Sequence, residues 1–315
     1  KYIDCLERTL YNGVISGMSM DGGRFFYPNP LSSDGKYAFN ADNTKTRQPW
    51  FGCACCPSNL CRFIPSVPGY LYGVKDNNIY VNLFAGNTST IKVQGKDVVL
   101  EETTEYPWNG DIKISVKKSG VKNANLLVRI PGWARNQVVP SDLYKYSDAE
   151  KPAYTVTVNG KAVEADLDAN KGYLPVKNIK KGDVIRIHFD MPIRTVVANN
   201  KVADDKGKVA VERGPLVYCA EAVDNNNEPV LRAVMAKKPT FTLVDNYSIQ
   251  NTETKGAPAF SVKAIKTDAQ VLEEGANGIS VKNDKLTLIP YYAWNHRGAN
   301  EMNVWFIQSL SMLDK

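Results

Sequence analysis

Four of the six cysteines in this 315-residue chain fall within the stretch WFGCACCPSNLCRF: Cys53, Cys55, Cys56 and Cys61. A disulfide framework spreads its cysteines over distant elements, and neighbours such as Cys55 and Cys56 do not readily bridge each other. Thiols gathered this closely more often bind a soft or borderline metal, for which zinc (Zn2+) is the first choice. Pro57 sits where a first helical residue would, and Asn59, Leu60 and Phe63 can carry that helix for two turns. Pro65 and Pro68 should then stop or kink it. The positive end of such a helix, with its free N–H groups, lowers the pKa of a nearby thiol, so Cys55 and Cys56 read as activated thiolates. The plain alternative is a set of buried, inert thiols.

A zinc site wants four ligands, commonly from two separated segments. The chain offers no second CxxC and no HxxxH, and its two histidines are His188 and His296. His188, in IRIHFD, lies on the face opposite Ile185, Ile187 and Phe189 and reads as a surface strand residue. His296, in AWNHRG, reads as a structural loop residue, Cys219, in LVYCAE, as a core thiol, and Cys5 as a packing residue of a helix. The missing ligands are therefore expected upstream of Lys1.

The elements that must hold these groups change character along the chain. Ile3, Leu6, Leu10 and Val14 fall at helical spacing, so the chain opens inside an amphipathic helix with no visible cap and no initiator Met. This reads as the C-terminal part of a longer protein. Turn-rich segments follow around Phe25-Phe26-Tyr27. From about residue 78 the period becomes 2, in IYVNLF, TIKVQGKDVVL, DIKISVKK and ANLLVRIP, and Asn159-Gly160 between alternating flanks signals a hairpin. After the polar break at 199–207 come VAVERGPLVYCAE, PTFTLV, FSVKAI, KLTLIPYYAW and EMNVWFIQ. Many short strands with turns between them mean antiparallel sandwiches. The expected division is a helical segment over 1–72, a β-sandwich over 73–200 and a second over 201–315.

Composition narrows the class. The length suits two or three domains, and 43% hydrophobic with 23% charged residues is ordinary for a chain that buries a core. No run approaches ~18 apolar residues, so no membrane helix is expected. The net charge is +6 but scattered, and the densest run, Lys177 to Lys181, reads as a solvated turn, so no nucleic-acid face is expected.

Taken together, GMSMDGGRFFYPNPL, RQPWFGCACCPSN, YVNLFAG, VRIPGWA, VERGPLVYCAE and LIPYYAWNHRGANEMNVW resemble glycoside hydrolase family 127 and its relative family 146, the β-L-arabinofuranosidase-like enzymes. The resemblance implies a mainly β chain: two antiparallel β-sandwich domains preceded by the last helices of an (α/α)6 barrel. It implies that zinc is held by Cys55 and Cys56 together with a Glu-x-Cys pair upstream, that Cys55 is also the nucleophile, and that Tyr27 contacts the sugar. Cys53 has no assigned chemistry. The acid/base Glu is likewise expected upstream. Ser58, Cys61 and Pro65 depart from the family pattern without touching the CACC element; they bear on close substrate specificity.

The implied reaction is retaining hydrolysis, in which a thiolate replaces one of the usual two carboxylates. A free thiol, with a pKa of about 8.5, is mostly protonated at neutral pH, and zinc would ionise and aim it. The implied partners are a plant cell-wall or glycoprotein glycan containing arabinose, the upstream barrel segment and a second copy of the chain. A bacterial periplasmic or secreted setting is favoured over the cytoplasm. Without the barrel, the first ~70 residues are expected to be loosely ordered, aggregation-prone or held by a partner chain. Two other classes compete: a non-catalytic carbohydrate-binding module with structural cysteines, and a thiol redox protein, which the lack of a CxxC in a βαβ setting weakens.

Overall fold

The computed structural model describes residues 1–275 and 278–309. The chain is mainly β, with short helices, and divides into two units whose segments interleave in sequence. The first unit holds Lys1–Glu7, Phe63–Pro140 and Ala149–Pro192; the second holds Arg8–Arg62, Ser141–Asp148 and the chain from Ile193. None of the helices described is long and apolar enough to cross a membrane.

In the first unit, six antiparallel strands form one sheet in the order Lys161–Ala162, Tyr154–Val158, Val184–Phe189, Asp111–Ser119, Lys96–Thr104, Asn87–Val93. Alternation does the sorting: Ile112, Ile114 and Val116 are buried, as are Ile185, Ile187 and Phe189, while Arg186 and His188 face out. The Asn159-Gly160 hairpin forms as expected, both residues taking positive φ (52° and 81°) as a tight primed turn requires. A second sheet runs Tyr173–Val176, Asn125–Arg129, Asn78–Val81, Tyr72–Lys75. Phe84, just past Asn78–Val81, packs on Phe189 of the first sheet at 5.7 Å, so the two sheets share a core. The pair Asn78–Val81 with Asn125–Arg129 is parallel, a correction to the expected wholly antiparallel pattern. Its cause is the connection: the chain leaves for three strands of the other sheet and returns by a crossover in the same direction. The opening helical turn belongs here as well. Buried Arg129 pairs with Glu7 and, at 2.9 Å, with Asp4, which also accepts the Gly132 N–H at 3.0 Å.

The second unit is one sheet of eleven strands among the described residues. Leu216–Glu221 pairs with both Lys208–Arg213 and Gly278–Pro290. From Gly278–Pro290 the pairing passes through Phe260–Gly275, Val234–Met235 and Phe306–Ile307 back to Lys208–Arg213. That circuit closes the sheet on itself, where two stacked sheets were expected. Val234 and Ile307 make its parallel contact.

Ile193–Ala198 pairs with Lys208–Arg213 and with Tyr144–Tyr146, which places it with the second unit, from 193 onward. Residues 1–72 divide between the two units, at Glu7/Arg8 and Arg62/Phe63. The first α-helix ends at Arg8 and passes into a π-helical turn, Thr9–Val14, inside which the amide of buried Asn12 donates to the Arg8 carbonyl at 2.8 Å. Asn12 donates to the Pro215 carbonyl at 2.9 Å and accepts the Val217 N–H at 2.8 Å, and Arg8 pairs with Glu212. Strand Ser32–Asp34 adds to the edge at Glu301–Asn303. Within the segment expected to lack partners in the chain, Arg8, Asn12 and Ser32–Asp34 thus bond to the C-terminal sheet.

Candidate active site

Residues 25–27 run extended beside residues 48–51. Phe25 and Gln48 exchange backbone hydrogen bonds at 2.8 and 2.9 Å, and on either side the rings pair edge to face, Phe25 with Trp50 at 5.7 Å and Tyr27 with Phe51 at 4.8 Å. The Tyr27 N–H is held by Asn40 Oδ1 at 2.9 Å, whose Nδ2 is tied to the Thr46 carbonyl at 2.9 Å. This fixes where the phenol ends: its Oη accepts the Cys55 N–H at 3.1 Å.

Cys55 is the first residue of the α-helix Cys55–Phe63. The helix therefore starts two residues before the place expected from Pro57, which lies in its third position, still within the turn whose N–H groups have no helical partner. The Cys55 N–H is one of those orphans, and the tyrosine hydroxyl satisfies it. Ser58 Oγ donates to the Cys55 carbonyl at 3.1 Å. Beyond Phe63 the chain tightens into the 3-10 helix Ile64–Tyr70, as the two prolines require. The helix seats close on Gly17: a Cβ there would stand 2.8 Å from Leu60 Cδ1, so a larger residue would push that side chain aside.

Cys53, which carried no assigned chemistry, places its sulfur 3.3 Å from that of Cys55. That contact first, and Tyr27 second, holds the Cys55 thiol below the ordinary cysteine value. Loss of water and the neighbouring Cys55 push the Tyr27 phenol up to about 12. So the structure brings together Tyr27, Cys53 and Cys55, with Cys56 next on the helix and half-buried. Cys53, Cys55 and Cys61 are exposed, which disposes of the buried, inert reading.

The other candidates fall elsewhere. Cys5 is exposed and not a packing residue: in its helix, Tyr2–Arg8, the buried position is Glu7. Cys219 is fully buried in Leu216–Glu221, as read. His188 is a surface strand residue between Asp111 (2.7 Å) and Asp190 (3.1 Å). His296 is structural: fully buried, it accepts the Met20 N–H at 3.0 Å and contacts the Ala293 carbonyl at 2.9 Å, and burial pushes its pKa down to about 3. For zinc, the Cys55 and Cys56 thiols at a helix start are the right donors, but two of them fill half a tetrahedral shell. Among the described residues no group of three or more His, Cys, Asp or Glu side chains is placed to hold a metal.

An exposed pair of thiols in contact beside a tyrosine, in a chain that is mainly β, is what the comparisons with known proteins must account for. Residues 1–69 match the profile described as "Beta-L-arabinofuranosidase, GH127 catalytic domain", 78–191 the GH127 middle domain, and 193–307 the glycoside hydrolase family 127 C-terminal domain. The chain belongs to glycoside hydrolase family 127. It is 32% identical, over 97% of its length, to a non-reducing end beta-L-arabinofuranosidase of Bifidobacterium longum subsp. longum, and spans 45% of that protein. Among solved structures it is similar to a GH127 beta-arabinofuranosidase at 50% identity (TM-score 0.87), covering 98% of this chain and 46% of that one. A GH127 beta-L-arabinofuranosidase from Geobacillus stearothermophilus T6 aligns at 32% identity (TM-score 0.79), with 98% and 46% covered. The chain thus spans about half the length of these relatives.

Proposed function

We propose that this chain is the C-terminal part of a retaining β-L-arabinofuranosidase acting on arabinose-containing glycans, with Cys55 as nucleophile and Tyr27 at the sugar. The observation that carries this reading is the exposed Cys55 thiol at a helix start, its N–H bound to Tyr27 Oη and its sulfur against Cys53. The helices of residues 2–70 are read as the end of an (α/α)6 barrel and the strands as its β-sandwich partners. Cys55 and Cys56 are assigned as two zinc ligands, the rest of the shell and the acid/base carboxylic acid coming from outside the chain. Bound there, zinc would keep the thiol ionised at neutral pH.

What the chain's own residues do can be stated separately. The helix N-terminus and the Cys53 thiol favour the sulfur's anionic form. The Cys55 N–H, held by Tyr27, fixes the backbone from which the sulfur is aimed at the anomeric carbon. Attack there forms the C–S bond and breaks the glycosidic C–O bond. The leaving oxygen takes a proton from the acid, and water later displaces the sulfur with retention.

In the full-length enzyme, Cys55→Ser should abolish turnover of a β-L-arabinofuranoside and lower bound zinc. Cys56→Ser should also lower zinc, and Cys53→Ser should be milder. Equal losses for all three, or full zinc occupancy in both the Cys55 and Cys56 variants, would contradict the assignment.

A further inference from the structure

Arg47 is charged and fully buried, an expensive state for a guanidinium. Its Nε and Nη2 donate to the Ser16 carbonyl at 3.2 and 2.9 Å, and its Nη1 to the Trp294 carbonyl at 2.8 Å. Its counter-charge is Glu253, whose Oε2 lies 3.5 Å from Nη1 and whose Oε1 accepts the Arg47 N–H at 3.2 Å. The guanidinium lies over the Phe26 ring, 4.2 Å from its centroid, and Trp294 stacks on that ring at 5.2 Å and 26°. Phe39 stacks on Trp294 in turn, at 5.6 Å.

Two of the groups Arg47 grips, the Ser16 carbonyl and the Phe26 ring, lie next to residues of the site, as does the chain that follows Arg47. Ser16 precedes the glycine on which the Cys55 helix seats, Phe26 precedes Tyr27, and Gln48, next to Arg47, pairs with Phe25 on the way to Cys53. A planar fork can serve two carbonyls in different directions while lying flat on a ring; neither lysine nor an apolar residue can. An apolar residue would serve packing at less cost. What the guanidinium adds is a common reference point for three segments that have no continuous secondary structure between them.

We infer that Arg47 is a positioning residue for the Tyr27–Cys55 pair, and that Trp294 of the C-terminal segment supplies the surface it works against. This rests on reading Cys55 as the nucleophile. It makes the C-terminal β segment part of the catalytic structure and not a separable glycan-binding module.

The test uses the full-length enzyme with Arg47→Lys, Arg47→Met, Tyr27→Phe and the Arg47→Lys/Tyr27→Phe pair, assayed well below each melting temperature. A second readout needs no substrate: the rate at which iodoacetamide alkylates Cys55, mapped by peptide mass spectrometry with exposed Cys61 as internal reference. Misplacement on the ångström scale costs about 10²-fold, so Arg47→Lys should lower kcat by roughly 10- to 100-fold with KM within about threefold, and Arg47→Met should fall lower still. Because Arg47 acts through Tyr27, the double variant should fall no more than about threefold below the worse single one. The Cys55 alkylation rate should change at least about threefold in Arg47→Lys while Cys61 keeps its own. Should Arg47→Met fail to fold, Trp294→Leu keeps the carbonyl and removes the stacked ring; about tenfold lower kcat is expected on the same grounds. Wild-type kcat in Arg47→Lys or Trp294→Leu, fully multiplicative losses in the double variant, or unchanged Cys55 alkylation would overturn the inference. Absence of turnover in the wild type too would instead overturn the arabinofuranosidase reading, with alkylation still deciding the role of Arg47.

Discussion

Replacing Glu102 with glutamine should abolish the pH dependence that this one carboxyl imposes on the first unit. Glu102 lies on Lys96–Thr104 and is 3% exposed. It accepts the Tyr72 hydroxyl at 3.0 Å and the Ala85 N–H at 3.2 Å. Burial outweighs those bonds and pushes its pKa from 4.5 up to about 8. The unfolded chain releases this proton near pH 4.5 and the folded chain only near 8, so between them the folded state holds more protons. Its contribution is therefore fully present below pH 4.5 and is lost as pH rises towards 8. The slope approaches about 1.4 kcal/mol per pH unit, or about 5 kcal/mol across the window. Glutamine fits the same bonds: its oxygen can accept from Ala85, and its amide can donate to Tyr72 Oη, whose hydroxyl then turns to Asn87 Oδ1, 3.4 Å away. Urea unfolding followed by circular dichroism at several values between pH 4.5 and 8 gives the difference between wild type and variant, in which the other carboxyls cancel. The two should lie within about 1 kcal/mol at the acid end, with the variant gaining steadily towards pH 8. A difference that ignores pH, or a wild type that gains with rising pH, would refute the reasoning.

Arg129→Met strands Glu7 and Asp4 without their buried partner and should destabilise the protein by about 3–5 kcal/mol in denaturant titrations; a loss under about 1 kcal/mol would mean that the pair adds nothing. Native-state alkylation should label Cys5, Cys53 and Cys61 quickly and Cys219 only on unfolding. Cys219→Ser should cost about 1–3 kcal/mol, because it buries a hydroxyl; rapid native labelling of Cys219 would contradict its place in the core.

Much of the β structure was legible because period-2 burial is written directly into runs such as DIKISVKK, and the Asn159-Gly160 turn into a pair of residues that tolerate positive φ. The place of Ile193–Ala198 was not, since it alternates like any strand and only its partners, Lys208–Arg213 and Tyr144–Tyr146, assign it to the later sheet. Asn12 hid the docking of the π-helical turn Thr9–Val14: a polar residue between Leu10 and Val14 reads as solvent-facing until the Pro215 carbonyl and the Val217 N–H supply bonds to its amide. At the site, the CACC spacing pointed to Cys55 and to thiolate chemistry. The closeness of Cys53 and the role of Arg47 depend on loop geometry and on Trp294, 247 residues further on, which no local pattern encodes.

The central claim, that Cys55 is the nucleophile, is tested most directly by trapping the covalent intermediate. Full-length enzyme is quenched in acid during turnover of a β-L-arabinofuranoside with a fast leaving group, digested with trypsin, and the peptide from Gln48 to Arg62 is sequenced by mass spectrometry. A single anhydropentose on Cys55, appearing within the first turnover and absent from Cys55→Ser, is the predicted result. The same mass on a carboxylate, or on Cys53, Cys56 or Cys61 with Cys55 unmodified, would contradict it.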